Sequence, residues 1–239
     1  MKNDIKEQID QVVADWQYLT ELPETLYGFH LTREAFVHDN FYDICRYDNP
    51  ELHKSAIIYY HDETHEYKVR VKLGLIEFCR IEFITADLAV FEKLLRRDLD
   101  AMLHDMVEYN PNSVGCIVRE KGILAWEGAK RLPQELEGFT LFVHPDEPVK
   151  ITNGSYVLID YADFALESSF TIYYNIYRDE FFGEARICNI PDVNYDFDAS
   201  ELPELEERLK DRLRPRLREV RERAEAEQTK QDKAKEAGA

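Results

Sequence analysis

The sequence predicts an α+β protein built by tandem duplication, each copy a helix, a four-stranded antiparallel sheet and a second helix. Three observations predict it. The first is internal identity: Trp16, Leu22, Pro23, Leu26, Gly28 and Phe29 stand 110 positions before Trp126, Leu132, Pro133, Leu136, Gly138 and Phe139. Those six identities fall in fourteen positions that hold the only two tryptophans, where average composition supplies roughly one match. The second is strand-like alternation, such as Lys68, Arg70 and Lys72 against Val69, Val71 and Leu73, which reads as a sheet with one wet face. The third is the helical spacing of apolar residues before and after each strand-rich stretch.

In copy one, Ile5, Ile9, Val12, Val13 and Trp16 make one apolar stripe over residues 3–19, and Pro23 ends that helix. Strands are expected near residues 29–37, 41–47, 55–60 and 67–84, the last broken or bulged at Gly74. Thr85 offers an N-cap, and Leu88, Phe91, Leu95, Leu99, Met102 and Met106 carry the closing helix. The Asn-Pro-Asn of residues 110–112 is the connector.

In copy two, Gly115, Gly122 and Gly128 shorten the opening helix. Tyr42, Tyr47, Leu52, Ser55, Ile58, Tyr59 and Tyr60 recur 114 positions later, at Tyr156, Tyr161, Leu166, Ser169, Ile172, Tyr173 and Tyr174. Gly74, Cys79 and Ile81 match Gly183, Cys188 and Ile190 at 109, which implies a hairpin five residues shorter in copy two. Leu95, Leu99 and Leu103 match Leu205, Leu209 and Leu213 at 110. Strands are expected near 139–144, 155–161, 168–177 and 181–190, then a helix from about Ser200 containing Pro215. The resulting division is a first repeat over 1–110, a second over 111–221, and a polar tail over 222–239 expected to be disordered because large apolar residues end there.

The net charge is −18, shared as −10 over residues 1–118 and −8 over the remainder. Such a field disfavours nucleic acid and anionic membranes and permits a basic protein partner. No apolar run approaches the roughly 20 residues that span a bilayer, and the polar, charged start gives no secretion signal, so the expected setting is cytoplasmic. Cys45, Cys79, Cys116 and Cys188 form no paired motif and read as buried, reduced thiols. No pattern in the sequence sets an oligomeric state, and no cofactor is called for.

His61, Glu63 and His65 are the weak metal candidates, but Asp62 stands where a zinc-protease helix needs Glu, and the flanks are strand-like. A hairpin loop accounts for them. Residues 192–198 alternate oxygen donors like half a calcium loop, yet Phe197 replaces the turn glycine and Pro203 the bidentate Glu, so Asp198 with Glu201 reads as a capping box. No nucleophile elbow, phosphate loop or dinucleotide fingerprint occurs, and no catalytic residue is assigned.

Trp16 and Trp126 read as core anchors. In Tyr59–Tyr60 and Tyr173–Tyr174, alternation places one ring of each pair in the core and the other on the opposite face, where an exposed aromatic would serve binding. The expected function is a non-enzymatic cytosolic protein-binding module, a chaperone-like adaptor or an inhibitor of a basic partner. The alternative is a hydrolase or metal-dependent enzyme with a site formed between the two repeats.

Overall fold

A computed structural model describes residue 1 and residues 3–237. Lys2, Gly238 and Ala239 lie outside the described residues, so the last two positions of the expected tail do too. The chain divides into two compact units, Met1–Tyr109 and Asn110–Ala239.

Unit one opens with α1 (Asn3–Asp15) and the single turn α2 (Tyr18–Glu21), which stops before Pro23. Seven strands follow: β1 (Thr25–Leu26), β2 (Phe29–Thr32), β3 (Phe36–His38), β4 (Phe41–Asn49), β5 (Lys54–His61), β6 (Glu66–Leu73) and β7 (Ile76–Thr85). They form one antiparallel sheet in the order β1-β2-β4-β5-β6-β7, with β3 paired to β4. The break expected at Gly74 is a turn between β6 and β7, where Gly74 has φ 60°. Helix α3 (Leu88–Val107) then buries Phe91, Leu95, Leu99, Met102 and Leu103 in the core that holds Tyr60, Tyr67 and Phe83. Its cap is Asp87 rather than Thr85: Asp87 accepts from the Val90 N–H at 2.9 Å, while the Thr85 hydroxyl accepts from the Asp87 N–H.

Unit two repeats this plan. After α4 (Cys116–Glu120) and short 3-10 turns come β8 (Glu135–Leu136), β9 (Phe139–Val143), β10 (Val149–Lys150), β11 (Ser155–Asp163), β12 (Ser168–Asn175), β13 (Glu180–Ile187) and β14 (Ile190–Val193). The sheet order is β14-β13-β12-β11-β9-β8, with β10 paired to β11, the mirror listing of the same connectivity. Helix α5 (Leu202–Ala237) closes the unit. The duplicated α+β plan is therefore present, with seven strands in each sheet where four were expected. In unit two the extra strands β8, β10 and β14 are two to four residues long, too short to show a period in sequence; in unit one β1 and β3 are equally short, and the expected 67–84 strand is divided at Gly74 into β6 and the ten-residue β7.

The structure corrects two of the repeat offsets. Strands β4, β5 and β6 map onto β11, β12 and β13 at 114, residue for residue at both ends, and β7 and α3 begin 114 before β14 and α5. The hairpins are equally long, so the expected shortening to 109 does not occur. Gly74 corresponds to Cys188, which also sits at positive φ, 49°, and the sheet bulge between Asp43 and Cys45 recurs between Val157 and Ile159. In the closing helix Leu95 corresponds to Leu209, not Leu205. Leucines four apart look alike after a one-turn slip, so sequence alone could not choose between 110 and 114.

Two further expectations change. Helix α5 runs through the stretch expected to be a disordered tail, because Ala224 is fully buried, its carbonyl accepts from the Cys188 thiol, and Arg223 reaches Asp192 at 2.9 Å. The sheet face turned away from the helices is not wet at its centre: Ser55, Tyr59 and Lys68 are buried in unit one, and Ser169, Thr171 and Tyr173 in unit two. Of the cysteines, Cys45 is buried, Cys79 and Cys188 are half-buried, and Cys116 is exposed, contrary to the expectation for all four. No helix among the described residues is long and apolar enough to cross a membrane.

Candidate functional site

All four candidate tyrosines are buried, including the ring of each pair expected to face outward. Tyr60 lies in the core that α3 covers, and Tyr174 is fully buried with its ring 4.9 Å from that of Phe181. Tyr59 has the Arg70 guanidinium 5.0 Å from its ring centre and a hydrogen bond from its hydroxyl to the Cys79 thiol. Tyr173 stacks on Phe182 at 5.0 Å. Alternation set the faces correctly, but it does not report that long charged and aromatic neighbours fold over a ring.

His61, Glu63 and His65 share the β5–β6 hairpin without converging. His61 stacks on Phe41 and turns Nδ1 toward Thr64 and Lys68, whereas His65 Nδ1 meets the Tyr60 hydroxyl at 3.2 Å. The His61–Glu63 separation is 3.8 Å, and no group of three or more His, Cys, Asp or Glu is gathered for a metal among the described residues. The 192–198 donors are likewise dispersed. Asp192 holds Arg216 and Arg223, the Asp196 carbonyl takes Arg208 and Arg212, and Phe197 is packed on Phe170. The cap falls later than expected, with Glu204 rather than Glu201 accepting from the Ser200 N–H.

One buried carboxyl was not signalled by any motif. Asp160, in β11, accepts from the Thr171 hydroxyl at 2.7 Å through one oxygen, and its other oxygen has no partner among the described residues. Burial pushes its pKa up to about 7.

A concave site with ligand-sized room lies in unit two. A cleft of about 410 Å³ opens between the Trp126–Pro133 segment and α5. Trp126, Leu132, Pro133, Leu136, Leu209 and Leu213 form its apolar lining, and Gly128, Arg131, Glu206, Lys210 and Arg214 complete it. Its back wall is fixed by hydrogen bonds: the Trp126 indole N–H donates to Glu206 at 2.9 Å, and the Tyr161 hydroxyl donates to the Pro133 carbonyl at 2.6 Å. Unit one has both bonds at the equivalent places, Trp16 to Glu92 at 2.7 Å and Tyr47 to the Pro23 carbonyl at 2.8 Å. The scaffold around the cleft is thus common to the two copies.

What differs is the occupant. The spacing from Trp to Leu-Pro is the same in both copies, so Tyr18 corresponds to Gly128. In unit one the Tyr18 ring packs 5.7 Å from Trp16 and beneath the Arg96 guanidinium at 4.5 Å, and is buried. In unit two the glycine brings no ring, and the Trp126 indole and the Glu206 carboxylate have closed onto it: a Cβ would lie 2.3 Å from Trp126 Nε1 and 2.7 Å from Glu206 Oε2, and the open space lies beside them, against Leu132, Leu136 and α5. Leu22 is buried in unit one, whereas its counterpart Leu132 is half-exposed on the cleft wall. Sequence reasoning matched the two tryptophans and the Leu-Pro turn but passed over the Tyr18–Gly128 difference inside the matched window. That difference was the available signal.

No family model, curated protein or solved structure matches this chain.

Proposed function

We propose that this chain is a non-enzymatic binding module that seats an aromatic side chain of a partner protein in the unit-two cleft. The observation that carries it is the cleft left where the tyrosine is missing: unit one packs its own Tyr18 ring over this scaffold, whereas in unit two Gly128 supplies no ring, the indole and Glu206 draw in onto the glycine, and an apolar cleft stays open beside them. A cleft of a few hundred cubic ångströms with an apolar floor and a charged rim is the ordinary form of a recognition site. Rings in such seats carry a large share of interface energy, since they bury much area at small entropic cost. Binding here means uptake of a side chain, with no bond made or broken. A cytosolic setting belongs to the same proposal, supported by four free cysteines.

The test is selection of a random peptide display library on the full chain. Selected peptides are expected to converge on one Tyr, Phe or Trp, to change the Trp126 emission, and to lose binding in Leu132→Gln, a substitution on the cleft wall. Peptides that share no aromatic residue, or that bind Leu132→Gln as well as the parent, would remove the proposal.

A further inference from the structure

The rim of the cleft has a sign of its own. Around the seat in unit one stand Glu21, Glu92, Arg96 and Asp100, three acids and one base; at the corresponding places in unit two stand Arg131, Glu206, Lys210 and Arg214, three bases and one acid. Over these four positions the charge therefore goes from −2 to +2 within a chain whose total is −18. We infer that the cleft takes an acidic segment, a tyrosine or phenylalanine flanked by carboxylates. This rests on the reading of the cleft as an aromatic seat, and it replaces the expectation of a basic partner, which came from the total charge alone.

The cations at the rim are free to act to different degrees. Arg131 pairs with Glu206, and Arg214 pairs with Glu137 at 2.6 Å. Both side chains are nonetheless well exposed, at 69% and 61%, and a guanidinium has five N–H donors, so each keeps donors for a ligand. Lys210 is exposed and has no hydrogen-bond or ion-pair partner among the described residues. The single acid, Glu206, is already engaged by the Trp126 indole and by Arg131. An aromatic ring on the apolar floor would carry its neighbouring carboxylates to Lys210 first and to the two arginines next. Repulsion from the distant acidic surface is damped within about 10 Å at 0.1 M salt, whereas contacts inside a partly desolvated cleft are damped much less.

The experiment uses the full chain and four labelled hexapeptides at one salt concentration: tyrosine flanked by acidic residues, by lysines or by serines, and alanine flanked by acidic residues. Binding is read by fluorescence anisotropy and, in a Trp16→Phe chain, by the emission of Trp126. The acidic tyrosine peptide is expected to bind at least tenfold more tightly than the other three. Lys210→Glu is expected to weaken it roughly five- to tenfold, and Lys210→Arg to hold it within about twofold. Equal binding of the lysine-flanked or serine-flanked tyrosine peptide, with the same Trp126 response, overturns the charge assignment and leaves the aromatic seat standing. Equal binding of the alanine peptide, or no Trp126 response to any of the four, overturns the seat as well.

Discussion

At the scale of single residues, the two tryptophans do related work in unequal surroundings. Trp16 is boxed by Tyr18 and Phe91, whereas Trp126 has one side on a cleft. Truncating a buried Trp to Ala costs about 3 to 5 kcal/mol, and we expect Trp16→Ala at the upper end and Trp126→Ala at the lower, measured by urea unfolding. A Trp126→Ala chain as destabilised as Trp16→Ala would contradict the open wall. Asp160 gives a second expectation, with a sign fixed by linkage. Its folded pKa, about 7, lies above the ordinary aspartate value of 3.8, so between those values the folded chain holds a proton that the unfolded chain releases. Its contribution is full below about pH 4 and declines as pH rises toward 7. Asp160→Asn keeps an acceptor for Thr171 and removes the titration, so the variant is expected to gain stability over the parent as pH goes from 5 to 8. Over that interval the gain is bounded at about 3 kcal/mol, from the roughly two pH units between 5 and the folded value. Melting curves across that range decide it, and a constant difference between the two proteins would mean that Asp160 is ionised throughout.

At the scale of elements, α5 departs most from what its composition suggests. Beyond Glu222 the helix has no large apolar residue, and yet Ala224 is fully buried, Arg223 pairs with Asp192, and Gln228 donates to the Ala165 carbonyl. Small and polar residues hold this segment through shape and directed bonds, which a hydrophobic pattern does not register. Removing residues 223–239 is therefore expected to cost about 1 to 3 kcal/mol, through a lost ion pair and an uncovered Cys188 edge, where a disordered tail would cost nothing. Chemical denaturation of the shortened chain measures it. The strands were more legible. Runs of β-branched and aromatic residues placed β4, β5, β11 and β12 to within two residues at most ends, because long paired strands select those side chains. The caps were less so: Asp87 took the place expected of Thr85, two residues away, since several short polar residues compete for one helix start.

At the scale of the whole molecule, the segment between the units, Glu108–Ser113, is exposed except at Tyr109 and Asn110, which are half-buried. Endoproteinase Glu-C under native conditions is expected to cut after Glu108 before it cuts within either sheet, leaving two resistant fragments readable by mass spectrometry. First cleavage inside a sheet would show that the units are not separate in stability. The duplication, the class of fold, the Trp and Leu-Pro anchors and the acidic character were all determined by the sequence itself. They depend on periodicity, identity and composition, which are local or additive. The continuation of the 114 register through the last hairpin and the closing helix, the burial of Tyr59 and Tyr173, the order in the last helix and the cleft beside Gly128 were decided only by the tertiary structure. Each depends on which side chain reaches across from another element: the Trp126–Glu206 hydrogen bond joins residues 80 positions apart, and no pattern within either segment specifies that meeting.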